Sequence, residues 1–141
     1  MDNLTASAKK ILIENDYTCV LYSKDRQYHS SLRGVRPLID FLESGTDFSG
    51  FAAADKVVGA GAAHLYVLLK VTCVWAKTIS QEAFSILEQK GISVFCEETV
   101  PFIINRAKDG VCPIENAFKG VVNSKDAYTL IKQTLKNLNK N

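Results

Sequence analysis

A chain of 141 residues is the size of one domain and too short for two independent cores. Its 47% hydrophobic and 23% charged residues match a soluble globular protein, and a formal net charge of +2 argues against a dedicated nucleic-acid binder. No stretch approaches the roughly 20 apolar residues that span a bilayer, and the N-terminus has no signal-peptide core, so a cytoplasmic protein without membrane contact is expected.

Residues 2–15 place Leu4, Ala8, Ile11 and Leu12 on one face of an amphipathic helix. Residues 17–23 are rich in β-branched and aromatic side chains, Lys24-Asp25 makes a polar break, and residues 27–32 alternate less cleanly, which together predicts a hairpin. Pro37 suits the first turn of a short helix through Leu38, Phe41 and Leu42, closed by Gly45. Residues 51–69 form the most apolar part of the chain, interrupted by Asp55, Lys56 and His64. An element apolar all round reads as a buried helix, with Gly59 and Gly61 permitting close approach to a sheet.

Residues 71–79 predict a strand, Ser80 a cap, residues 81–90 a helix stopped by Gly91, and residues 92–96 a further strand. That order implies a right-handed crossover between parallel neighbours. Residues 101–106 suit an edge strand or an irregular segment, Pro113 opens a short helix, and Ser124 caps a last helix reaching about Leu138. The expected fold is a three-layer α/β domain with a mixed sheet of about five strands, its core spanning about residues 4–135 of a single domain over 1–141.

Lys56-Val57-Val58-Gly59-Ala60-Gly61-Ala62-Ala63 imitates the opening of a dinucleotide-binding fold, but three requirements fail. The strand ahead of it would be about two residues long, His64 stands where Gly or Ala is needed, and no following strand ends in an acidic residue. No cofactor is expected. The cysteines Cys19, Cys73, Cys96 and Cys112 contain no C-x-x-C pair and suit free thiols, and with only His29 and His64 beside them no metal site is expected.

Two places remain where chemistry could sit. Asp55 and Lys56 interrupt the apolar segment: either Asp55 caps the helix, or the acid and the amine project together into a crevice. Farther on, Pro113 at the first helical position would put Cys112 at the cap and Glu115 three residues inside, a capping box with cysteine in place of serine or threonine. Near Arg106 such a thiol could be reactive; it could equally be a small buried hydrophobe. Arg33 and Arg36 suit an anion or a sheet edge, and Lys125, Lys132, Lys136 and Lys140 make a solvated helix face.

Arg33-Gly34-Val35-Arg36-Pro37-Leu38, Ala54-Asp55-Lys56-Val57-Val58-Gly59, Val100-Pro101-Phe102-Ile103-Ile104-Asn105-Arg106 and Cys112-Pro113-Ile114-Glu115 follow one another in the order and spacing of a known family's blocks. The chain resembles a small prokaryotic domain family of unknown function with a cytidine-deaminase-like fold. Zinc deaminases carry H-x-E at the start of the second core helix and P-C-x-x-C at the start of the third. Here the corresponding words read Asp55-Lys56-Val57 and Ser80-Gln81-Glu82-Ala83-Phe84, so the resemblance implies the fold without zinc-dependent deamination.

The leading expectation is a zinc-free, deaminase-like domain that binds a small, nucleotide-like ligand where the helices at Asp55 and Ser80 begin. Asp55, Lys56 and Ser80 would line that site, with Asn105, Arg106 and Arg33 supplying anionic contacts. One alternative is an enzyme with Cys112 as nucleophile, assisted by Asp55 or Glu115. The other is a non-catalytic interaction module, such as a homodimer.

Overall fold

The chain begins its first helix where Asp2 offers a cap, its Oδ1 accepting from the Thr5 N–H at 2.7 Å. This computed structural model describes residues 1–32, 34–103 and 123–139. Helix α1 (Asn3–Asn15) leads into the hairpin β1 (Cys19–Tyr22) and β2 (Gln27–Ser30), followed by α2 (Arg36–Glu43), β3 (Ala52–Val58) and α3 (Ala60–Leu69). Then come β4 (Cys73–Ser80), α4 (Gln81–Gln89), β5 (Ser93–Val100) and α5 (Ser124–Asn139).

The five strands form one mixed sheet in the order β2-β1-β3-β4-β5. Strand β1 runs antiparallel to β2 and β3, while β3, β4 and β5 are mutually parallel through helical crossovers. On one face α1 packs Ala8 and Leu12 against Val20, Ala54 and Trp75. The other face carries the main core, built from Leu38, Ala63, Leu65, Tyr66, Leu87 and Ile131 of the remaining helices over Leu21, Ala53, Val74 and Ala76. No helix among the described residues is long and apolar enough to cross a membrane.

Residues 51–69 depart from the single buried helix that their composition predicts. They divide into strand β3, a cap at Gly59 in extended conformation (φ −97°, ψ −179°), and helix α3. A strand covered on both faces is apolar all round, so it carries the same composition as a buried helix. The strand ahead of the glycines is therefore seven residues long, which removes one of the three objections to a dinucleotide motif. The other two stand, with His64 inside α3 and β4 ending at Ser80.

Elsewhere the boundaries move for local reasons. Strand β5 extends to Val100, longer than the apolar run 92–96, because Glu97 and Glu98 sit exposed while the backbone continues its pairing with β4. At the last helix the cap is Asn123, whose Oδ1 accepts from the Lys125 N–H at 2.8 Å. Ser124, the predicted cap, instead places its Oγ 3.1 Å from His64 Nδ1 and ties α5 to α3.

The three parallel strands share one irregularity. Partner residues run together from Ala52–Cys73 to Asp55–Ala76, then resume at Val57–Thr78, leaving out Lys56 and Lys77. Between β4 and β5 the pairs Ala76–Cys96 and Thr78–Glu98 likewise leave out Lys77 and Glu97. The in–out alternation shifts at the same level. Ala53 and Val58 both belong to the helix-side core although they are an odd number of residues apart, as do Ala76 and Ile79. On β5 the Cys96 sulfur lies 3.5 Å from Thr99 Oγ1, so residues three apart share a face. A regular strand would put them on opposite faces.

Candidate functional site

Asp55 is the last residue of β3 before this shift, and its side chain turns toward the helix-side core, where it is 8% exposed. Its Oδ2 accepts from the Tyr66 hydroxyl of α3 at 2.6 Å. Its Oδ1 accepts from the Val57 N–H at 3.2 Å, just where the ladder to β4 is interrupted. Across the antiparallel pair with β1 its register partner is Cys19, whose sulfur lies 3.3 Å from the Tyr66 oxygen. The three side chains thus make one buried polar cluster joining β3, α3 and β1.

Burial pushes the Asp55 carboxyl up to about 7, although the Tyr66 hydroxyl and the Val57 and Lys56 N–H groups favour its charged form. Burial, then the Asp55 charge, raises both the Tyr66 hydroxyl and the Cys19 thiol well above their ordinary values. Cys19 is therefore a protonated hydrogen-bonding thiol at neutral pH and no nucleophile. The two ion pairs among the described residues, Lys56–Asp16 and Lys132–Glu43, do not involve Asp55. A group that is half ionised near neutrality can accept a hydrogen bond in one state and donate one in the other.

Lys56 does not accompany Asp55. Expected beside it at a helix start, it lies on strand β3, where successive side chains leave opposite faces, and its ammonium pairs with Asp16 at the end of α1. Contact with Lys56 holds the exposed Asp16 carboxyl below its usual range. The acid and the amine therefore serve different faces of the sheet. Ser80 is buried at the start of α4, with its Oγ accepting from the Ala83 N–H at 3.1 Å, the capping role expected of it.

The two helix starts that follow β3 and β4 carry Gly59-Ala60-Gly61 and Ser80-Gln81-Glu82. The register differs from the one expected at the first, since helix α3 opens four residues beyond Lys56. Neither set offers the histidine or cysteine pair that zinc prefers, and among the described residues no three His, Cys, Asp or Glu side chains could hold a metal ion. Cys112, Glu115, Asn105, Arg106 and Arg33 lie outside the described residues. The described cysteines, Cys19, Cys73 and Cys96, are free thiols.

Sequence reasoning passed over Tyr66 and Cys19. Tyr66 stands in the run Leu65–Leu69, where it reads as one more core residue, and Cys19 reads as a strand residue. The available signal was chemical: a buried tyrosine hydroxyl requires a partner, and Asp55 was the one acid in the same apolar stretch.

A five-stranded mixed sheet with helices on both faces and a β-α-β-α-β run through its parallel strands defines an α/β domain. More particularly, the chain belongs to the DUF1893 family, domains of unknown function, whose model (TM1506) matches residues 7–135. Its structure is similar to the crystal structure of TM1506, a DUF1893 family protein from Thermotoga maritima, with a TM-score of 0.86 and 25% identity over 94% of this chain and 90% of that one. None of the curated proteins matches the chain.

Proposed function

We propose that this domain binds a small, nucleotide-like ligand through Asp55, on a deaminase-like scaffold that works without zinc. The observation that carries this reading is the Asp55 carboxyl itself, nearly buried, held near neutrality and paired with no basic side chain among the described residues. Such a group costs the native state stability, and perturbed, costly ionisable groups concentrate where a protein acts on something else. Its placement agrees. It lies midway along β3, beside a break in the pairing of the parallel strands and three residues short of the carboxyl end, the end that ligands of α/β sheets favour.

The resemblance to a deaminase-like family supports the choice of ligand class, as does the order of a hairpin followed by helices alternating with parallel strands. Asp55 is the recognition group, suited to the N–H groups of an amine or amide edge. Ser80 shapes the neighbouring helix start, and Arg33, Asn105 and Arg106 are the proposed contacts for an anionic end. Lys56, committed to Asp16 on the opposite face, is no part of the site.

The test is a thermal-shift screen with nucleosides and nucleotides on the wild type and Asp55→Asn. A ligand at 100 times its dissociation constant adds about 2.7 kcal/mol, which raises the midpoint by several degrees in a domain of this size. The expected result is a rise that Asp55→Asn abolishes. A ligand response unchanged by the substitution overturns the assignment.

A further inference from the structure

We propose that Cys19, Tyr66 and Asp55 form a hydrogen-bond chain whose direction reverses with the charge on Asp55, so that the state of the carboxyl on β3 is carried to β1. Tyr66 has a single hydroxyl proton, and its oxygen lies 2.6 Å from Asp55 Oδ2 and 3.3 Å from the Cys19 sulfur. With Asp55 ionised, that proton must point at the carboxylate, which can only accept. The Tyr66 oxygen then accepts from the Cys19 S–H. Every donor in the chain faces Asp55.

One solvent proton taken up by Asp55 in the contact with Tyr66 is incompatible with that arrangement, because two protons cannot occupy the Tyr66–Asp55 contact. Oδ1 already accepts from the Val57 N–H, and protonation there would weaken that bond, which favours Oδ2. Protonation at Oδ2 lets the carboxyl donate to the Tyr66 oxygen. The Tyr66 O–H turns to the Cys19 sulfur, and the Cys19 S–H turns away. No covalent bond breaks other than that of the incoming proton, and the other two protons only rotate.

The surroundings favour a closed exchange among these groups. Among the described residues, the ionisable side chains meeting Asp55 from the packed elements are Tyr66 on α3 and Cys19 on β1, while its partner on β4 is Ala76 and its neighbour Lys56 faces Asp16 on the other side. The carboxyl's position near 7 places the reversal in the neutral range. Strand β1 joins the hairpin to the parallel strands, so the reversal alters a contact at the seam between the two halves of the sheet.

The experiment combines infrared spectroscopy of the cysteine S–H stretch with NMR titration of carbon-13-labelled aspartate carboxyls. The Cys19 band is assigned by difference from Cys19→Ser. As pH falls through the Asp55 midpoint, the band is expected to shift to higher frequency, because the S–H loses its acceptor. In Tyr66→Phe, Asp55 should still titrate while the Cys19 band stops responding, and in Asp55→Asn the band should be independent of pH. A Cys19 band that stays in place while Asp55 titrates overturns the chain, and so does a response that survives in Tyr66→Phe. No ligand is required, so this proposal and the ligand-binding reading can fail separately.

Discussion

An ionised carboxylate at residue 55 receives a tyrosine hydroxyl and backbone N–H groups, yet desolvation outweighs them and holds the group near 7 against an ordinary 3.8. Between those two values the native state binds more protons than the unfolded chain. Stability from this group is therefore complete below about pH 4 and is lost as pH rises toward 7, by up to roughly 4 kcal/mol. The difference in unfolding free energy between wild type and Asp55→Asn, measured by urea denaturation across that range, should carry this slope. Above the midpoint the variant should match or exceed the wild type in stability. A wild type that gains stability relative to the variant as pH rises would mean that Asp55 is stabilised as an anion, with a lowered value instead of a raised one. Asp2 and Asp47 are held below their ordinary range by local hydrogen bonds and Asp16 by Lys56; all three act in the opposite sense, which is why the comparison with the variant matters.

At the scale of elements, helix ends carry the clearest physical errors and the clearest remedies. Lys70 closes α3 in the left-handed region at φ 64°, a conformation that costs a side-chain-bearing residue and suits glycine. Lys70→Gly should stabilise the domain by about 0.5–1 kcal/mol, visible as a rise of a few degrees in the thermal midpoint. At α5 the two adjacent candidates for the cap separate by consequence. Asn123→Ala should cost about 1 kcal/mol by loss of the cap. Ser124→Ala should loosen α5 from α3 by leaving His64 Nδ1 without that hydroxyl, and hydrogen exchange in both helices would register it. Sequence patterns gave most elements their type because caps and breakers are local: Ser80, Gly91 and Pro37 each act within one turn. They failed at Ala52–Val58, where three alanines and two valines suit either period, and only the sheet's two-sided cover decides between them.

For the molecule as a whole, the two faces of the sheet are unequally protected. Among the described elements α1 alone covers its face, with Leu12 1% exposed at the centre of the contact. Leu12→Ala should cost on the order of 2–4 kcal/mol, a drop of the denaturation midpoint with little change in its steepness. The candidate site was half legible from sequence for a related reason. Asp55 was visible as a charged residue in an apolar stretch, but which way it faces depends on strand alternation, and a helical reading put Lys56 beside it. Tyr66 comes to it from the next helix and Cys19 from a strand earlier in the chain, and no spacing rule brings those three together.

The shared break in alternation at Lys56, Lys77 and Glu97 also limits how this domain can change in length. Loops absorb insertions because nothing counts their residues. At this level, however, one residue gained or lost in β3 alone would turn Val58 out of the core and set it against neighbours still in the old phase. Three separated stretches of the gene are thereby bound to a common count. Length variation among natural versions of this chain should accumulate at the connections between elements and leave these three positions in step.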